Sequence, residues 1–415
     1  MITWPSGKGT PSRSPRTPVD LMRYDVIVAG GGPVGLACAI SLGRDGRRVC
    51  VVERSPANVL ADPPFDGREI ALTHHASEWL KCVGAWDEIP AGNICPMYTA
   101  RIETGKSGNP PLLFDAPSDG PDALGHMVAN HLIRRALYRV ALRTPGVDIR
   151  AGEGIASSWH DTRSAGVVLA NGERIEADLL VAADGRFSRL RAEAGIGAIV
   201  HDFQRNIMVC RMRHPEPHAN TALQWFDEGQ TIALLPVAPD DRPGSCSSLV
   251  LTLEPDEIAR LKALDGKAFS EDITARTQGR MGQMTLESAR CVYPLKAVYA
   301  HRFQAPRLAL IGDAAVGMHP ITAHGFNLGL KGQEVLARAI ADGPGDAGDP
   351  SVLSRFERTH RLATAPLFAA TNAIATVYTR DEPPFLMARR AGLAVANRLL
   401  PFKAAVTNML MDRHG

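Results

Sequence analysis

Hydrophobic positions along this chain fall into two textures. Between residues 24 and 53 near-continuous apolar runs flank a helical stretch. "YDVIVAG" predicts a strand buried on both faces, "PVGLACAISLGRDG" a helix with Pro33 in its first turn, and "RRVCVVE" a second buried strand. Together they predict a βαβ unit. "MVANHLIRRALYRVALRT" (127–144) carries apolar residues at helical spacing. It leads into "VDIRAGEGI" and "AGVVLANGERIEADLLVAADG", strands in which Asn171-Gly172 signals a hairpin. From about 200 to 300 the texture changes. "TALQWF", "QTIALLPV" and "SSLVLTL", separated by Pro- and Gly-rich turns, predict a mainly antiparallel sheet, with a helical "PDEIARLKAL" among them. The chain then returns to a buried strand, "RLALIGD", and a helix, "LGLKGQEVLARAIADG". "DGPGDAGDPS" (342–351) is a surface loop.

The expected fold class is α/β. A Rossmann-like nucleotide-binding domain is built from discontinuous segments, 23–195 and 290–345. A mainly antiparallel β-sheet substrate domain is inserted at 196–289, and a helical region closes the chain at 346–415. Residues 1–22, rich in Pro, Ser, Thr and basic residues, are expected to be a disordered tail or the product of a start codon placed too early.

Composition narrows the function classes. The 415 residues are 45% hydrophobic and 22% charged, the balance of a globular enzyme, and a net charge of +2 gives no reason to expect a nucleic-acid partner. Seven scattered cysteines without a Cys-x-x-Cys pair read as reduced thiols, so neither a metal nor disulfides are expected. His74-His75 lack further ligands at metal spacing. The first 22 residues lack the apolar core of an export signal, and no apolar run reaches the ~18 residues a spanning helix needs. A cytoplasmic protein is expected.

The first chemical motif is Gly30-Gly31-Gly32-Pro33-Val34-Gly35, a G-x-G-x-x-G on the strand-to-helix turn. Gly30 permits the tight turn, Gly32 lets a pyrophosphate approach the backbone, and Gly35 lets helix and strand pack closely. The helix N-terminus adds unpaired N–H groups and a positive dipole end. Glu53, ending the second strand, is placed to accept hydrogen bonds from ribose hydroxyls, and its charge would repel a 2′-phosphate. That favours FAD or NAD over NADP. Arg54 beside it is grouped with the cofactor-binding residues.

Three further segments separate FAD from NAD. "DGREIAL" (66–72) places Arg68 in a loop after the second strand. "LLVAADGRFSRLR" (179–191) spaces Asp184, Gly185, Ser188 and Arg191 as D-G-x-x-S-x-x-R. "IGDAAVGMHPITAHGFNLGL" (311–330) ends an apolar strand in Gly312-Asp313 and continues through backbone-permissive residues. With "FDGREIAL", "GHMVANHLIRRAL", "YPLKAVYAHRF" and "HGFNLGLKG", the set resembles the class A flavin-dependent aromatic hydroxylases of the p-hydroxybenzoate hydroxylase fold. The nearest branch is the ubiquinone-biosynthesis hydroxylases, and the resemblance runs from about residue 24 onward.

The resemblance implies an FAD-dependent monooxygenase. It would use NAD(P)H and O2, and a C4a-hydroperoxyflavin, to hydroxylate the ring of a ubiquinone-biosynthesis intermediate such as demethoxyubiquinol. Asp313 would bond the ribityl chain. Pro320 and the Gly325-Phe326-Asn327 backbone would lie along the isoalloxazine. Asp184, Ser188 and Arg191 would serve flavin and NAD(P)H together. Arg68 would reach the flavin or pyrophosphate, and Asn130 joins the cofactor-binding set. With no second G-x-G-x-x-G, NAD(P)H would dock transiently as a co-substrate. The chain departs from the family at Val316, where many members carry His, and at "TAHGFN", where His324 replaces a Gln or Lys. Two readings of His324 stay open: a hydrogen-bonded structural residue, or a catalytic one that tunes flavin N1 or relays a phenolic proton. His319 reads as a His-Pro step that shapes the loop.

Alternatives keep the scaffold and change the task. One is the same chemistry on a small soluble phenol or aromatic acid, with Arg205, Arg211 or Arg213 as carboxylate clamp. Another is a non-oxygenating flavin reductase or dehydrogenase, and a third a structural subunit that holds FAD. The stretch 383–415 combines Leu, Met and Phe with Arg389, Arg390, Arg398 and Lys403. It reads as a helical cap or as a basic amphipathic segment lying peripherally on the inner face of the membrane, suited to a polyprenylated phenol or quinol. A homo-oligomer and a multi-enzyme quinone-biosynthesis assembly are both compatible with the resemblance.

Overall fold

The computed structural model describes residues 22–105, 111–116, 123–227, 229–320 and 325–379, together with Thr407, Met411 and Asp412. The βαβ unit forms as its pattern dictates: β1 (Met22–Ala29), α1 (Pro33–Arg44) and β2 (Val49–Glu53). β1 is the centre of an eight-stranded sheet. It pairs in parallel with β2 on one side and with Arg174–Ala182 on the other. Val147–Ala151 and Leu308–Leu310 extend the parallel run outward. Val26, Ile27, Val28, Val51, Leu179 and Leu180 are fully buried, which is why these strands read as unbroken apolar runs. The Asn171-Gly172 step joins Ala165–Leu169 to Arg174–Ala182 as an antiparallel hairpin, with Gly172 at φ +88.

The second sheet has nine strands and is antiparallel except where Thr221–Asp227 runs parallel to Thr99–Thr104. Its membership is wider than the expected 196–289. Thr99–Thr104 and Leu112–Asp115 form one edge, while Cys291–Ala300 and Val316–Gly317 form the other. These short segments alternate weakly, and only pairing with distant strands defines them. One face of the sheet buries Met208, Cys210, Trp225, Leu249 and Leu251 against the helices Pro255–Ala263 and Gly266–Arg276. Period-two alternation sends the intervening side chains to the opposite face.

A small third sheet, Glu69–Leu72, Gly125–Ala129 and Ile94–Met97, lies beside these two. Here the expected helix over 127–144 is corrected. Residues 127–129 are strand, and the helix is Asn130–Arg143. Met127, Val128 and Ala129 suit either structure, and pairing with a strand on each side decides for the sheet. Pro350–Thr379 is one 30-residue helix. His324, and beyond this helix nearly all of the basic stretch 383–415, lie outside the described residues. Among those described, no helix is long and apolar enough to cross a membrane.

Candidate functional site

The three fingerprint glycines serve three separate needs. Gly30 has φ +115, and a Cβ there would stand 2.4 Å from the Ala183 carbonyl oxygen. A Cβ on Gly35 would stand 2.0 Å from the Gly30 oxygen, so helix α1 rests on the strand-end backbone. Gly32, the N-cap of α1, would put a Cβ into open space. That space belongs to a cavity of about 590 Å³ lined here by Gly32, Pro33, Val34 and Gly35. Glu53 stands at the same loop: Oε2 accepts the Gly31 N–H at 2.7 Å and Oε1 the Ser55 N–H at 2.8 Å. Arg54 is exposed and lies outside the cavity lining.

Leu180–Ala182 and Leu308–Leu310 are adjacent parallel strands, so the loops leaving their ends emerge side by side. The D-G-x-x-S-x-x-R segment organises this junction. Asp184 accepts the Arg189 N–H at 2.9 Å and the Leu190 N–H at 3.2 Å, while Ser188 Oγ accepts the Arg191 N–H at 3.0 Å. Both thereby cap the short helix Arg189–Glu193. Buried Arg191 donates to the Ala314 carbonyl at 2.8 Å and the Arg186 carbonyl at 3.2 Å, tying the two loops together. Of this motif Gly185 lines the cavity; Asp184, Ser188 and Arg191 do not.

Sequence reasoning missed Arg186, whose signal was a basic residue directly after Asp184-Gly185. It lines the cavity and donates to the Lys296 carbonyl at 2.6 Å and to Asp313 Oδ2 at 3.1 Å. Gly317 makes room for it, since a Cβ there would stand 2.8 Å from Arg186 Nε. Gly312 (φ +57) and Asp313 both line the cavity.

A second polar cluster closes the side opposite. Arg68 meets Asp66 Oδ2 at 2.6 Å, Asn130 Nδ2 donates to the same oxygen at 2.7 Å, and the Tyr293 hydroxyl donates to the Asp66 carbonyl at 2.7 Å. Burial alone would raise the Asp66 carboxyl. The Arg68 charge and the bonds from Arg68 and Asn130 outweigh it and hold the group below its ordinary range. Arg68, Asn130 and Tyr293 line the cavity.

Pro320, Gly325 and Phe326 line it too, and a Cβ on Gly325 would meet no atom within 4 Å. The Asn327 side chain is directed elsewhere: Nδ2 donates to the Ala71 carbonyl at 2.8 Å, joining the Gly325–Ala341 helix to the small sheet. His319 does more than shape a loop. It is buried in the cavity wall, edge-on to Phe203 at 4.7 Å between ring centroids. Burial, then the Arg186 and His201 charges, push its imidazole down to about 3, so the ring is neutral at physiological pH.

The remaining wall is the free face of the second sheet, where two rows run across four strands. Phe226, Thr231, Thr252 and Ile207 lie in register, and so do Gln224, Ala233, Val250 and Val209. All eight line the cavity. The arginines considered as a carboxylate clamp do not. Arg205 pairs with Glu254, Arg211 with Glu69 at 2.6 Å, and Arg213 with Asp240 at 2.7 Å and Glu287 at 3.2 Å. Each is already neutralised within the chain. Burial pushes the Glu69 carboxyl up even against Arg211. His74 and His75 bond to the Ala123 carbonyl and to Glu334.

One end of this cavity is therefore bare backbone at a helix N-terminus, with carboxylates and arginines nearby; the other is sheet, mostly apolar, with Gln224, Thr231 and Thr252 as its polar members. Space beyond Gly32 and Gly325 that a Cβ would enter, together with the helix dipole, fits a flavin dinucleotide laid from phosphates to ring. Comparison with known proteins agrees. A family model described as an FAD binding domain matches residues 23–369. Ubiquinone hydroxylase UbiM of Neisseria meningitidis is 38% identical over 395 residues, 94% of this chain and 85% of that protein. The 3-demethoxyubiquinol 3-hydroxylase of Escherichia coli is 30% identical over 90% of this chain and 95% of that protein. Among solved structures, p-nitrophenol 4-monooxygenase PnpA from Pseudomonas putida superposes with a TM-score of 0.75 at 17% identity. That match covers 95% of this chain and 100% of the other, a likeness of fold.

Proposed function

Because the chain belongs to the FAD-binding-domain family and is similar over most of its length to proteins named as ubiquinone-pathway hydroxylases, we propose that it hydroxylates the aromatic ring of a ubiquinone-biosynthesis intermediate. The substrate is a neutral phenol or quinol with an apolar tail, the co-substrates NAD(P)H and O2. One observation carries the substrate half of this reading: the sheet side of the cavity is mostly apolar, and Arg205, Arg211 and Arg213 lie outside the lining, each paired with a carboxylate. An aromatic acid would need a free cation there, and burying its carboxylate without one is costly.

Bound FAD supplies the redox chemistry, taking a hydride and activating oxygen. The chain supplies the rest. Gly32 and the α1 N-terminus receive the pyrophosphate, and Glu53 the ribose. Asp313, oriented by Arg186, together with Pro320 and the Gly325-Phe326 backbone, holds the ribityl and ring portions. Arg68, kept in place by Asp66, and Asn130 border the same space. Arg191 fixes the two loops in register. The apolar members of the two rows, Ile207, Val209, Phe226, Ala233 and Val250, exclude water from the ring and hold the substrate against it. Neutral His319 is a hydrogen-bonding group rather than a base. His324 remains the candidate for moving the phenolic proton. Such a tail would also hold the enzyme at a membrane surface, which liposome partition reads directly.

Purified enzyme with a short-tailed demethoxyubiquinol should oxidise NAD(P)H and form hydroxylated product in equal amounts. Oxidation that yields only peroxide with every quinol, but couples to product with an aromatic acid, would reject the substrate assignment.

A further inference from the structure

Met411 and Asp412 are remote in sequence from every cavity-forming segment, yet they sit on three of them. The helix His74–Cys82 follows the cavity-lining strand Glu69–Leu72, and its first N–H groups lack partners within the helix. Thr73 Oγ1 accepts the Ala76 N–H at 3.3 Å, and the Asp412 carbonyl accepts the His75 N–H at 3.2 Å. From the neighbouring helix, Lys331 Nζ donates to Asp412 Oδ1 at 2.8 Å. His75 Nε2 and Glu334 Oε2, 2.7 Å apart, bind the same two helices to each other. Asp412 is held with φ +41, a conformation a non-glycine residue keeps only under tertiary constraint.

This latch fixes Met411, which is 2% exposed. It is buried in one cluster with Cys95, Met97, Leu124 and Met127, and Ala71 and Leu235 pack against that cluster. Ala71 and Leu235 line the cavity. Ala71 contributes a single methyl, so the wall at that point is thin, and the methionine cluster is what backs it. Methionine side chains are unbranched and repack at low cost, which makes such a backing adjustable.

We propose that Met411 is a specificity-determining residue: held by the Asp412–Lys331–His75 latch, it backs the apolar end of the cavity behind Ala71 and Leu235. It thereby sets the length of alkyl tail the site accepts. The proposal rests on the apolar-tailed substrate argued above. It adds that tail length is limited by a residue more than 300 positions away from Ala71 in the chain.

The test uses the full-length FAD-loaded protein and neutral 4-alkylphenols of increasing chain length, with binding read from the flavin absorbance change. Met411→Ala should leave 4-methylphenol affinity unchanged and tighten binding of the chains just beyond the wild-type optimum, by about fourfold for each methylene admitted. Lys331→Met should blur the length preference and speed hydrogen exchange at the His75 amide, a readout independent of any substrate. A length series that is the same in wild type, Met411→Ala and Lys331→Met overturns the proposal. So does an unchanged His75 exchange rate in Lys331→Met. If no phenol binds the wild type at any length, the substrate assignment falls and takes this proposal with it; the exchange arm then still reports whether the latch forms.

Discussion

On its nucleotide side the cavity is walled by backbone: Gly32, Gly185, Gly312 and Gly325, with a helix start and two loops locked together by Arg191. On its sheet side it is walled by side chains, eight of them standing in two cross-strand rows. The first wall depends on atoms that are missing: at Gly32, Gly185 and Gly325 a Cβ would enter open space, while at Gly30 and Gly35 behind them it would collide with main chain. The second depends on atoms that are present, and any of them can change size. The nucleotide side is therefore least tolerant where main chain packs on main chain, whereas the sheet side changes with the size and polarity of its side chains.

The contrast should break first at Gly35. Gly35→Ala places a Cβ 2.0 Å from the Gly30 oxygen and should cost about 3 kcal/mol or more, read as loss of soluble, flavin-coloured protein. Gly32→Ala, with no atom within 4 Å, should leave stability within about 0.5 kcal/mol. It should still weaken FAD roughly tenfold by equilibrium titration, about 1.4 kcal/mol. If Gly32→Ala unfolds the protein and Gly35→Ala does not, the assignment of their roles is reversed. Across the cavity, Val250→Asp should keep FAD bound and lower substrate kcat/KM by roughly 100-fold, the cost of an uncompensated polar group against an apolar ligand. Loss of flavin from that variant would show that the two walls are not separable. Arg191→Met leaves the Ala314 and Arg186 carbonyls without their donor. It should lower unfolding free energy by about 2 kcal/mol in a denaturant titration.

The last prediction concerns pH. His319 is held neutral down to about 3 in the folded protein but takes a proton near 6.5 when unfolded. The unfolded chain thus binds more protons between those values, and stability falls as pH drops from 6.5 towards 3, by up to about 1.4 kcal/mol per unit. His319→Gln should flatten that limb of the stability curve. His360, pushed down to about 4 by burial, titrates in both proteins, so the difference isolates His319. An acid limb as steep in the variant as in the wild type would contradict the assignment.

How much of this was legible before the structure follows the same division. The nucleotide wall is made of contiguous motifs whose spacing carries its own geometry, so Gly30, Gly32 and Gly35 could be read directly, while Asp313 came from the family resemblance. Even there, a motif announces a place rather than a role. Asp184 and Ser188 cap a helix, Asn327 holds the small sheet, and Arg186 stood at an unassigned position inside the motif. On the substrate wall the antiparallel strands themselves were legible, but not which of their residues meet across the sheet. Gln224 comes to lie beside Ala233 and Val250 through strand register, which hydrophobic alternation does not encode across loops. Thr99–Thr104 was missed because its membership of a sheet depends on a parallel partner more than a hundred residues away.

That last strand has a consequence for engineering and for descent. Thr99–Thr104 and Leu112–Asp115 lie between segments of the nucleotide side in the chain, yet they complete the far edge of the other sheet. A transplant of residues 196–289 between homologues would carry a sheet stripped of its border and leave orphaned border strands in the recipient. New ring or tail preferences on this scaffold are thus expected to arise by replacement of individual wall residues, not by exchange of modules.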